Sequence, residues 1–259
     1  MADFLNLVQN ENMKIYRRVR TWVMSAILLF IPLALSIIGR FVDENPVMWG
    51  YVMAESDLAV MLLTIFAVVI AADCVAGEFS SGTIKLLLIR PWSRTKILLS
   101  KYLALLVYII LNLAVFFGLT LLLNFLLFGG GGSDYPVREG WTPLGHAAAW
   151  YGLNLIEMVV IVTMAFMISS VFRSGGLAIG LSIFLLLGGG IISGLLSLID
   201  KPWVDYVLFL HLGLEQHLLV DRWTFHDYSL GFSLGVLAGY YVLFLALSWY
   251  VFNRRDVAA

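Results

Sequence analysis

Between Arg94 and Phe128 the chain carries an apolar run that no ordinary globular domain could bury. As one helix it would be about 50 Å long, against ~30 Å of bilayer hydrocarbon. It must therefore project from a membrane, lie steeply tilted or be broken. Other runs reach the roughly 20 apolar residues that crossing requires. Charged residues make up only 13% of the chain and mean hydropathy is +0.93, whereas soluble domains carry about 25% charged residues. The pattern predicts an all-α membrane protein with six transmembrane helices in a single transmembrane domain, residues 1–259. The expected spans are about 21–41, 58–76, 94–128, 144–172, 176–199 and 228–252.

The connections between spans are distinctive. Residues 2–20 place Phe4, Val8, Ile15 and Val19 at near-helical spacing, with Lys14, Arg17, Arg18 and Arg20 grouped at the end. An amphipathic helix lying in the membrane interface fits this pattern, its cations towards lipid phosphates; a disordered basic tail is the alternative. The first run lacks a cleavage site, so it is expected to be retained as a span, kinked at Pro32. An acidic loop holding Asp43, Glu44, Glu55 and Asp57 should follow. In the fifth span, Gly188–Gly190 lowers helix propensity and suggests a kink or an unwound turn. Residues 200–227, broken at Pro202, suit short helices dipping back into the membrane from outside.

Orientation follows from the cations. With the N-terminus inside, twelve Lys and Arg fall on the inner side and four (Arg40, Arg138, Lys201, Arg222) on the outer. This positive-inside bias predicts that both termini are cytoplasmic.

Several chemistries find no footing. The chain lacks a phosphate loop, a nucleophile elbow, an H-E-x-x-H pair and a C-x-x-C pair. It is not expected to be an enzyme or to bind ATP itself. Cys74 is the sole cysteine, so neither an intrachain disulfide nor a cysteine-based metal cluster can form. His211 and Glu215 share a helical face, but His217 points about 200° away from Glu215, so no metal site is expected. Nothing resembles a nucleic-acid surface. Glu157, near the middle of the fourth span, is costly at membrane depth. It could meet a cationic substrate, relay protons or hydrogen-bond Asn154. Gly176/Gly180, Gly190/Gly194 and Gly231/Gly235/Gly239 are small-xxx-small repeats that permit close helix packing, within one subunit or between two.

The stretch Gly77–Lys101 holds five of the sixteen Lys and Arg residues, yet its centre is apolar. Gly77 and Gly82 are expected to break the helix on either side of Phe79–Ser81. Thr83–Arg90 then allows about two helical turns ended by Pro91, and Ser93 can cap the third span. Leu86, Leu87 and Ile89 would fill a partner's groove, while Lys85, Arg90 and Arg94 would steer an acidic surface towards it.

Residues 71–102 resemble the loop between the second and third spans of ABC-2 type transporter permeases. Their G-E-x-x-x-G-T-x-x-x-L-L-x-x-P-x-x-R pattern is matched by Gly77, Glu78, Gly82, Thr83, Leu87, Leu88, Pro91 and Arg94. The order of the other elements agrees along the chain. The resemblance implies the membrane-spanning subunit of a type V-like exporter, in which two permease subunits join two ATP-binding subunits. The loop would act as a cytoplasmic coupling helix docked in the ATPase, with a second contact at Arg173 and Ser174. ATP and Mg would be held by that partner, with no cofactor in this chain. The first and fifth spans would line the subunit interface, and residues 200–227 would gate the outer end. The implied setting is a bacterial cell membrane, and the cargo an antibiotic, peptide or lipid-like molecule. The competing expectations are an ion-gradient-driven transporter centred on Glu157 and a non-transporting anchor or intramembrane enzyme.

Overall fold

The computed structural model describes residues 2–84, 92–130, 135, 137, 140–218 and 228–254. Among these residues the regular structure is helical: α1 (Ala2–Tyr16), α2 (Val19–Val42), α3 (Met48–Ser80), α4 (Arg94–Phe128), α5 (Pro143–Val171), α6 (Gly175–Leu196) and α7 (Leu230–Arg254). Helices α2 to α7 are each long and apolar enough to cross a membrane. Three short 3-10 turns, Val204–Tyr206, Leu208–His211 and Leu214–Leu218, lie between α6 and α7.

α1 is a helix and not a disordered tail. It breaks at Arg17–Arg18, where the Thr21 hydroxyl donates to the Ile15 carbonyl at 2.6 Å and closes the corner into α2. α4 is unbroken over its 35 residues, which removes one of the three options its length left open. The Ser93 cap is the one the sequence suggests, and Thr142 and Ser174 cap two further helices. Ser93 accepts from the Lys96 amide, Thr142 from Gly145 and Ser174 from Leu177, each relieving an orphan donor of the first turn.

α3 departs most from expectation. It begins ten residues before 58, so Glu55 and Asp57 belong to the helix and not to an acidic loop. Nor does Gly77 break it. The chain continues helically to Ser80, and the turn comes at Gly82, whose φ of +71° is a conformation glycine adopts without penalty. Of the two options for α6, the unwound turn is absent: Gly188–Gly190 stay helical. Gly189 supplies room, because a Cβ there would stand 2.7 Å from the Phe209 ring. Pro32 likewise sits inside a continuous α2.

α3 and α5 form the centre of the bundle, with α4, α6 and α7 packed around them and α2 against α3 and α4. Ser169 of α5 ties the centre together by accepting from the Val75 and Ala76 amides, both at 3.0 Å. α2, α6 and α7 turn broad apolar faces outward, among them Phe30, Phe184, Ile191 and Val242. Contacts of Lys101, near the start of α4, with α1 and the end of α3, and of Arg94 with the end of α7, gather both ends of the described chain at one end of the bundle. We call this the N-terminal end and its opposite the distal end.

Candidate functional site

At the N-terminal end, three helices contribute charge to one buried cluster. Lys101, from the second turn of α4, is only 2% exposed. Its Nζ lies 2.8 Å from Glu11 Oε2 of α1 and 2.6 Å from Glu78 Oε1 of α3. Lys14 adds contacts to Glu11 (2.5 Å) and Glu78 (3.3 Å). One turn deeper along α3, Asp73 pairs with Arg18 and with Arg20, the latter at 2.7 Å. A small cavity of about 40 Å3 lies among these groups. Burial by itself would raise the Glu11 carboxyl, but the Lys101 ammonium, helped by Lys14, outweighs it and holds Glu11 below the usual carboxylate range.

Local sequence explains the arrangement. Leu7, Glu11 and Ile15 recur every four residues, so all three face the same way, and all three are buried. A carboxylate on that face needs a counter-charge, and Lys101 provides it. Glu78 therefore turns towards the chain's own Lys14 and Lys101.

What remains open at this end is a short strip of surface. Gly82 and Thr83 are exposed beyond α3, and Arg173 and Ser174 are exposed between α5 and α6. The two elements meet: a Cβ on Gly175 would lie 3.0 Å from Asp73 Oδ1 and 3.5 Å from Gly77 Cα. Arg94 reaches the C-terminal turn of α7, donating to the Asn253 carbonyl at 3.2 Å, a contact favoured by the helix dipole. Lys85, Leu86, Leu87, Ile89, Arg90 and Pro91 lie outside the described residues, as does most of the predicted coupling helix.

The middle of the bundle holds Glu157, halfway along α5 and 9% exposed. Its partner is not Asn154, which bonds back to the Trp150 carbonyl at 3.0 Å. Glu157 Oε1 instead accepts the backbone N–H of Leu214, with the Gly213 amide beside it. Gly213 has φ +95°, a left-handed conformation that aims successive amides at one point. The 3-10 segment thus reaches the mid-depth of α5. Phe209 lies deeper, in a cleft of about 400 Å3 shared with Met164, Met167, Leu181, Leu185 and Phe244. The segment therefore packs into the bundle over residues 204–218; of the 200–227 stretch expected to form short outer helices, residues 219–227 fall outside the described set.

His211, Glu215 and His217 turn to separate partners. His211 Nε2 lies 2.7 Å from the Asp205 carbonyl and Nδ1 lies 3.0 Å from the Ser233 hydroxyl, which suits a neutral ring. Burial lowers the His211 pKa, against the opposing pull of Asp205. His217 contacts the Leu214 and Tyr228 carbonyls, and Glu215 faces Glu157. A second cavity, about 390 Å3, opens between this segment and α6; Ser193, His211, Gln216, His217 and Ser233 give it hydrogen-bonding walls.

Gly176, Gly180, Gly190, Gly194, Gly231, Gly235 and Gly239 have open space where a Cβ would project. Close packing inside this chain uses Gly39, Gly77, Gly175 and Gly189 instead. One buried constellation lies outside the sequence-derived candidates altogether. Glu55, fully enclosed near the distal ends of three helices, accepts from Ser36 (2.5 Å) and Asn124 (2.8 Å). The available signal is depth: Glu55 stands within about two turns of the N-terminus of α3, and Ser36 and Asn124 within about two turns of the C-termini of α2 and α4.

An all-helical bundle with six membrane-length apolar helices and buried polar clusters at three depths defines a multi-pass membrane protein. Residues 16–258 match the family model described as "Protein of unknown function (DUF2705)", and the chain belongs to that family. It is 36% identical over 229 residues to "Uncharacterized protein YhcI" of Bacillus subtilis, covering 83% of this chain and 71% of that one. It is also 30% identical over 251 residues to "Uncharacterized membrane protein YdbK" of the same organism, covering 95% and 99% respectively.

Proposed function

We propose that this chain is the membrane-spanning permease subunit of an ATP-driven exporter of the ABC-2 type. In this reading the N-terminal end faces the cytoplasm, in keeping with the twelve-to-four distribution of cations. Two copies of an ATP-binding subunit supply hydrolysis, and a second permease subunit, identical or paralogous, completes the pathway. The observation that carries the proposal is the contact between the Gly175 turn and Gly77. It packs the turn after Arg173 and Ser174 against the last turns of α3, so one rigid partner could press on the ends of α3, α5 and α6 together.

The surrounding contacts support the same reading. A push on the end of α3 passes to α1 and α4 through Glu78, Lys101 and Glu11, and to α5 through Ser169. The apolar cleft beside Phe209 favours an amphipathic or lipid-like cargo. Glu157, held by backbone amides, fits an anchor for the re-entrant segment better than a wall of an ion path.

The test is to purify the chain from its native bacterium with and without Thr83→Trp and Arg173→Glu. Wild type should bring down a soluble ATPase, whereas the variants should lose it while melting at the wild-type temperature. Undiminished capture by both variants, or a wild-type chain that carries no ATPase, would overturn the assignment.

A further inference from the structure

We propose that the two cavities beside Phe209 form one binding site for a single-chain amphiphile with an uncharged, hydroxyl-bearing head. Phe209 is the wall they share. On one side lies the apolar cleft of about 400 Å3. On the other lies the cavity of about 390 Å3 that holds Ser193, His211, Gln216, His217 and Ser233 in its walls. The Phe209 ring reaches this position because Gly189 has no side chain, a Cβ there standing 2.7 Å from it.

The helices set the two cavities in line. On α6 the cleft touches Leu181 and Leu185, and the polar cavity begins at Leu186 and runs to Ser193. α7, which runs the other way, shows the same order reversed: Ser233 walls the polar cavity, then Tyr240 and Phe244 wall the cleft. Leu181 and Ser193 stand about 18 Å apart along their helix. The polar part therefore lies nearer the distal end and the apolar part deeper, as head and chain of a lipid lie in the distal leaflet.

The walls select the ligand. The side chains of Ser193 and Gln216 make no hydrogen bond among the described residues, although both line the polar cavity. A hydroxyl and a carboxamide each donate and accept, so hydroxyl groups on a ligand satisfy both. His211 and Ser233, each 2% exposed, hold a fixed part of the same wall through their 3.0 Å contact. Among the described residues that wall contains no Asp, Glu, Lys or Arg. A phosphate or carboxylate head would thus be desolvated without the cation such groups bind best. The cleft beyond Phe209 is lined by aliphatic, Met and aromatic side chains, which suit one acyl chain. The site gives a ligand class to the cargo favoured above, and rests on the exporter reading for the ligand's transport but not for its binding.

The experiment omits any ATPase, so its failure and that of the exporter assignment are distinguishable. The full chain in phosphatidylcholine nanodiscs is irradiated with a monoacylglycerol that carries a diazirine midway along its chain, and labelled peptides are mapped by mass spectrometry. Label should concentrate on residues 164–172, 181–185 and 240–244. Excess unlabelled monoacylglycerol should suppress it, whereas the free fatty acid of the same length and added diacyl phosphatidylcholine should not. Ser193→Ala combined with Gln216→Leu should weaken labelling about tenfold, the loss of two hydrogen bonds, at an unchanged melting temperature. Leu185→Trp, which fills the cleft, should weaken it as well. Label spread evenly over the outward faces of α2, α6 and α7, equal competition by the fatty acid or the diacyl lipid, or undiminished labelling of S193A/Q216L would each overturn the site. The competition series needs no variant, so it decides the matter even if a variant fails to fold.

Discussion

Replacing Lys101 by Met keeps the side chain's volume and removes its charge. Lys101 is 2% exposed and holds Glu11 and Glu78 at 2.8 and 2.6 Å. The pairs therefore belong with buried ion pairs, where removing one partner costs about 3–5 kcal/mol, and not with surface pairs worth roughly 0–1 kcal/mol. Among the described residues Lys14, half in solvent, is the cation that would still pair with Glu11 and Glu78. A loss of that size is a large share of the ~5–15 kcal/mol that holds a typical domain together, and here it falls on the docking of α1. Hydrogen exchange along residues 4–16 should rise sharply in the variant while the centre of α5 stays protected. The triple variant Glu11→Gln, Glu78→Gln, Lys101→Met removes all the stranded charge and should recover most of the protection. If K101M leaves α1 as protected as wild type, or the triple variant is no better than K101M, the cluster is not what fastens α1.

The same cluster has a definite pH response. Glu11 sits below its ordinary value of 4.5 in the folded chain, so its contribution is fully present above that value and is lost as pH falls through the lower, folded value. Limited proteolysis of α1 should accelerate only under strong acid, and Glu11→Gln should flatten that dependence. At the other contact, Gly189→Val drives a side chain into the Phe209 ring. Overpacking of this kind costs about 1–3 kcal/mol and should expose residues 208–218 to exchange, with Phe209→Ala in the same chain restoring protection.

Much of the architecture was legible because the solvent dictates it. A bilayer accepts only long apolar helices, so six membrane-length helices, the cap at Ser93 and a helix over residues 2–16 follow from local composition and spacing. Helix boundaries were less legible. Glu55 reads as a loop residue until Ser36 and Asn124, 19 and 69 positions away, are seen to satisfy it. The glycine repeats likewise mark room for close packing, but which glycines meet a neighbour depends on how the helices are rotated.

The sequence by itself determined that this chain lives in a membrane, which end carries the cations, and that ATP chemistry has no motif here. Only the tertiary structure decided where its charges go. Glu78 looks like a docking residue in the linear motif and pairs with Lys101 in the fold, and Glu157 looks like a transport residue, yet it is held by the amides of a segment nearly sixty residues later. The physical reason is common to both. A buried charge must find its partner wherever the fold brings one, and spacing along the chain carries no record of contacts made across it.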